Sequence, residues 1–145
     1  MIYAFFPIIA AMFYGLAFAA TEKALSYTSI TTIMILGSAF GICVVSGLMF
    51  IKNEPPSFSF LNDKTGTALV ATAVIAPAFG WLLTNYAIKN INSSYAAFAE
   101  VSYPLFTILF LFLLFGIRHF DWHVIVGGIM VIAGSVVLVL GQLRN

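Results

Sequence analysis

The sharpest chemical feature of this 145-residue chain is Glu100, a carboxylate inside an otherwise apolar run over residues 94–116. Six residues past Ser94, it lies ~9 Å along a helix axis at the standard rise. An ionised carboxylate at that depth in lipid costs several kcal/mol, so it is expected to face a bundle interior or a water-filled cavity. There it would exchange a proton or meet a cationic substrate group. Tyr103, Pro104 and Thr107 follow at i+3, i+4 and i+7, which extends one polar, proline-bent face. The structural alternative is an ion pair with Lys89, which begins on the same side of a membrane.

Pro77, Trp81 and Asn85 recur at i, i+4 and i+8 in a second apolar run. Proline frees a backbone carbonyl, the indole offers a stacking surface, and the amide offers a donor and an acceptor. This face suits the lining of a substrate pathway; the alternative is Asn85 as glue between helices and Trp81 as packing. Tyr14, beside Gly15, could line the same cavity. Glu22 and Lys23 close the first run on the side of Lys89. They read as interfacial anchors that neutralise each other, or as a gate of exchanging ion pairs with Lys89. His119, Asp121 and His123 straddle a tight turn without further ligands, so no metal site is expected. No Ser/His/Asp arrangement, phosphate-cradling glycine loop or CxxC is present, and neither an enzyme nor a cofactor is expected.

These residues must be positioned by five near-continuous apolar blocks: 2–20, 30–51, 66–88, 94–116 and 123–141. Each can cross a hydrocarbon core of ~30 Å as a helix. The composition agrees: 62% of residues are hydrophobic, 8% are charged, and the mean hydropathy is +1.08. Such a set cannot build a water-facing surface, for which soluble domains use ~25% charged residues. The runs do not alternate with period two, which favours helices over a barrel. The expectation is a single all-α membrane domain over 1–145 with five transmembrane helices and no separate soluble domain. A net charge of +1 without a basic run excludes nucleic acid as a partner. The lone Cys43 cannot form an internal disulfide. Ala17, Phe18, Ala19 and Ala20 resemble a signal-peptidase site, but no Lys or Arg precedes the block, so it is expected to remain as a span.

An odd number of spans puts Lys52, Lys64 and Arg118 on one face and Lys23, Lys89 and Arg144 on the other. Orientation follows an excess of Lys and Arg on the cytoplasmic side. Here there is none, so the chain carries no orientation preference. Helix starts are expected at caps: Thr28 or Ser29, Asp63, Asn92 or Ser93, and Asp121. The linker from Lys52 through Pro55 and Pro56, with Phe58 and Phe60 alternating with serines, suits the headgroup level. Small residues recur at packing intervals: Ala11, Gly15 and Ala19; Gly37 and Gly41; and Gly127, Gly134 and Gly141, flanked by Gly128 and Ser135. The first two series fit packing within one subunit, and the last is a candidate for contact with a second copy.

From Gly80 onward the residues resemble the EamA-type transporters of the drug/metabolite transporter superfamily. The stretch from Trp81 to Lys89 is similar to the end of that family's third helix. Ser93 to Pro104 is similar to its small-residue helix start and "E-P-x-x-P" segment, with Val101 at the first proline and Pro104 at the second. Leu114, Phe115 and Gly116, then Gly127 to Gly134, resemble its closing turn and last helix, although Ile117 stands where a glutamate is usual. Small multidrug resistance proteins are similar over the same part, with Trp81 at a matching tryptophan, but no glutamate lies deep in the first block here. The resemblance implies one five-helix, inverted-repeat half of a transporter fold. It further implies a multi-pass protein of the cell (inner) membrane that exports small metabolites or amphipathic compounds by alternating access. Without orientation preference, such a half would pair with an antiparallel copy of itself or with another five-helix subunit. The alternatives are a lipid-linked-sugar flippase subunit and a non-transporting scaffold or regulatory subunit.

Overall fold

The computed structural model describes residues 6–53, 55–117 and 121–142. Expectations that rest on residues 2–5, Arg118, His119 and Arg144 lie outside the described residues. Within them the chain is helical throughout: α1 (Phe6–Ala24), α2 (Ile30–Lys52), α3 (Lys64–Asn90), α4 (Ser93–Glu100), α5 (Tyr103–Phe115) and α6 (Trp122–Gln142), with a short 3-10 helix at Ser59–Asn62. Three segments are long and apolar enough to cross a membrane: Ile30–Lys52, Lys64–Asn90 and Ser93–Phe115. The helices α1 and α6, of 19 and 21 residues, are apolar as well and rise ~28 Å and ~31 Å.

Helix starts follow local chemistry. The Ser29 hydroxyl accepts the Thr32 N–H at 3.1 Å, and Asn92 Oδ1 accepts the Tyr95 N–H at 2.7 Å. Asp63 Oδ2 accepts the Gly66 N–H at 2.7 Å. Each satisfies an amide that the first turn leaves without a partner. At Asp121 the backbone carbonyl accepts from Val124 and Ile125, while the carboxylate turns 3.1 Å to His123 Nδ1. Two residues take left-handed backbone where helices end: Asn53 after α2 and Gly116 after α5, with φ of 53° and 66°. Asparagine and glycine are the residues that tolerate this conformation best.

The fourth apolar block departs from the expected continuous helix. Pro104 brings no N–H to the carbonyl of Glu100 four residues back, and its ring crowds that carbonyl. The chain responds by tightening. Val101 N–H is shared between the Ala97 and Phe98 carbonyls, and Ser102 donates both its N–H and, at 2.7 Å, its hydroxyl to Ala99. A fresh helix, α5, then begins at Tyr103 with the proline in its first turn. Counting this interrupted block once, the described residues form five helical blocks.

The chain divides into two compact units. One takes α1 as far as Glu22 and everything from Ala87 onward; the other runs Lys23–Tyr86. In the first unit, α6 lies against α4 and α5. Ser135 Oγ donates to the Phe98 carbonyl at 3.2 Å, and Gly128 sits against the Leu105 side chain. Seven residues forward on one helix match seven backward on the other, so the pairing is antiparallel. A Cβ at Gly128 would collide with Leu105 Cδ2. In the second unit, α2 and α3 pack as a hairpin in which a Cβ at Gly37 would come within 2.7 Å of the Trp81 ring. Gly15, Gly41, Gly127, Gly134 and Gly141 have no such neighbour within 4 Å. Gly37 therefore lies against α3 within the chain, while Gly15 and Gly41 face open space.

Candidate functional site

Asn85 is the most enclosed polar side chain described, at 1% exposure. It sits near the end of α3, where its Nδ2 donates to the Trp81 carbonyl one turn back at 2.8 Å. Its Oδ1 is buried and has no hydrogen-bond partner. A buried acceptor left unmade costs about 1–3 kcal/mol, which makes this atom an exception to normal protein structure. Trp81, 38% exposed, lays its indole over Gly37 of α2. The absence of a side chain at Gly37 is what admits the ring.

The same hairpin carries an open groove of ≈ 520 Å³, lined by Thr31, Met34, Ile35, Ser38, Ala39 and Ile42 of α2 and by Leu82 of α3. The α2 residues step by three and four, one continuous stripe of the helix. Leu82 is three residues before Asn85, so both occupy one side of α3. The lining is apolar except for two hydroxyls seven residues apart. Sequence reading passed over this stripe. Its signal was the recurrence of Thr31 and Ser38 on an otherwise greasy helix.

In the other unit, Glu22 has a definite role. Its Oε2 accepts the Ser93 N–H at 2.6 Å, so a carboxylate from the end of α1 caps the start of α4 beside the local cap Asn92. Lys23 and Lys89 are both exposed. Glu100 is exposed at the last residue of α4, and Tyr103, 68% exposed, opens α5 across the tightened turn. Thr107 turns its hydroxyl back to the Tyr103 carbonyl at 3.0 Å. Tyr14 on α1 is 67% exposed. Trp81 and Asn85 thus share one unit, whereas Tyr14, Glu22, Lys89, Glu100 and Tyr103 share the other. Among the described residues no group of three His, Cys, Asp or Glu side chains could hold a metal ion.

On α6, Gly128 meets α5 and Ser135 meets α4, while Gly127 and Gly134 lie exposed beside them. The glycine repeat is therefore an open strip of backbone rather than part of the unit's internal packing.

No curated protein and no solved structure matches the chain. The sequence model of the EamA-like transporter family matches residues 1–140. That span takes in every described helix but the last two residues of α6, and the apolar helices mark an integral membrane protein. The chain belongs to the EamA-like transporter family, whose members are membrane transporters of the drug/metabolite transporter superfamily.

Proposed function

We propose that the chain works as one half of an alternating-access exporter in the cell (inner) membrane, moving small metabolites or amphipathic compounds without enzymatic chemistry. The partner is an antiparallel copy of the chain or another five-helix subunit, and the substrate pathway forms between the two halves near the bilayer midplane. Glu100, Tyr103, Trp81, Asn85 and Tyr14 line that pathway, and Glu100 carries the coupling proton. Glu22, Lys23 and Lys89 close one end of it. Gly127, Gly134 and Gly141 form the contact with the partner.

The observation that carries this reading is the open glycine strip on α6. Its neighbouring side is already used, with Gly128 against Leu105 and Ser135 bonded to Phe98, while the strip itself meets nothing. In lipid, close backbone approach through small residues is a main source of helix association, so an unoccupied strip of this kind invites a second helix. The equal division of Lys and Arg lets copies insert both ways, as an antiparallel pair requires.

The test joins topology to cross-linking. With Cys43 replaced by alanine, Gly134→Cys is expected to give a disulfide-linked pair in native membranes, and tags on both termini are expected on both sides. Gly134→Leu should abolish the pair and the flux together. Copies all inserted one way with no second five-helix subunit co-purifying, or solitary protomers that transport fully, would overturn the reading.

A further inference from the structure

We infer that the α2–α3 hairpin recognises a neutral N–H donor carried on an apolar or aromatic body, with Asn85 Oδ1 as the acceptor that selects it. This rests on the transporter reading above and adds to it a chemical class of substrate. Three observations lead there.

The first is the unmet acceptor. Asn85 Nδ2 is engaged by the Trp81 carbonyl, which fixes the amide so that Oδ1 is the atom left over. A carbonyl oxygen accepts and cannot donate, so what completes it must carry an N–H or O–H. The second is the groove. Its ≈ 520 Å³ accommodates a bicyclic aromatic with room to spare, and its wall is almost wholly aliphatic. Leu82 links the two, since it lines the groove and lies on the Asn85 side of α3.

The third is charge. No residue lining the groove is ionisable. A carboxylate or phosphate would find no cation there, and an ammonium would surrender its hydration shell for a neutral amide and two hydroxyls. Burying an unpaired charge costs far more than one such hydrogen bond returns. A neutral donor loses little water and gains a partner that the protein already holds in place. Oδ1 is covered in this arrangement, so the donor reaches it through a local rearrangement of the packing around α3, of the kind alternating access involves.

Indole and N-methylindole form the test pair, since they share shape and apolar surface and differ in the N–H. Equilibrium binding of radiolabelled indole is measured on the full chain in lipid nanodiscs, with empty nanodiscs subtracted for partitioning and N-methylindole as competitor. Wild type should prefer indole by about tenfold, the equivalent of one net hydrogen bond. Asn85→Leu should bring indole down to the level of N-methylindole, while Asn85→Gln, which keeps a neutral amide with its acceptor oxygen, should preserve the preference. Equal wild-type affinity for the two compounds, no saturable indole binding, or a preference that survives in Asn85→Leu would each overturn the assignment. Binding does not require flux, so the two readings fail separately. Asn85-dependent binding by copies that all insert one way, with no second five-helix subunit co-purifying, refutes the paired exporter and leaves the donor site standing.

Discussion

The carboxylate of Glu22 spans from the end of α1 to the amide of Ser93, and the energy of that contact can be worked out. A hydrogen bond with one ionised partner contributes about 1.5–3 kcal/mol, and the 2.6 Å separation is as short as such charge-assisted contacts become, just under their usual range. The acceptor also sits at a helix N-terminus, where negative charge is favoured. Glu22→Ala removes all of this and strands a part-buried N–H, for an expected loss of about 2 kcal/mol. Glu22→Gln keeps an acceptor oxygen without the charge and should lose about half as much. Asn92→Ala removes the local cap on Tyr95 and should cost about 1 kcal/mol.

The helix they serve has only 8 residues, far too short to hold itself in isolation. The two caps therefore act on one cooperative unit, and the double variant should depart from additivity by about 0.5 kcal/mol or more. The assay is reversible unfolding in mixed micelles, titrated with dodecyl sulfate and followed by helical circular dichroism. A 2 kcal/mol loss moves the unfolding constant about thirtyfold. If Glu22→Ala unfolds within about 0.5 kcal/mol of wild type, the contact does not bear on stability and the reasoning fails.

Two further perturbations follow from the same structure. Gly37→Ala places a methyl group 2.7 Å from a rigid indole atom, so it should cost about 1–3 kcal/mol and shift the Trp81 emission, read in a Trp122→Phe background. An unchanged spectrum would mean that the ring does not lie on α2. Glu100→Gln should reduce substrate-driven proton flux in liposomes to the level of empty vesicles while leaving membrane expression intact, and full retained transport would reject the proton-carrier role.

What could be read from the sequence was what is local. Ser29, Asp63 and Asn92 announce helix starts because a cap and the amide it serves lie within one turn. The apolar blocks announce spans because the bilayer demands length. The break in the fourth block could be anticipated at Pro104, although the turn it makes at Val101 and Ser102 depends on how Ser102 donates back to Ala99. Glu22 as a cap could not be read, because its partner lies 71 residues away and only the fold brings them together. The glycines divide the same way. Spacing marks Gly127 and Gly128 alike as packing residues, but which one meets Leu105 depends on the rotation of α6, and adjacent positions point ~100° apart. Asn85 was visible as a polar residue on an apolar run, whereas its unmet oxygen is a property of the packed state.

The joint between α4 and α5 has a mechanical consequence. The upper rod is held at its head by Glu22 and Asn92 and along its side by Ser135, and the lower rod is seated by Leu105 on Gly128. Both rods are fastened to the same helix, α6, so their mutual angle changes only as one of those two contacts slides or parts. A proline has already relaxed the backbone at that articulation, and bending there sacrifices less than bending in an intact helix. Glu100, the last residue of α4, stands at this joint.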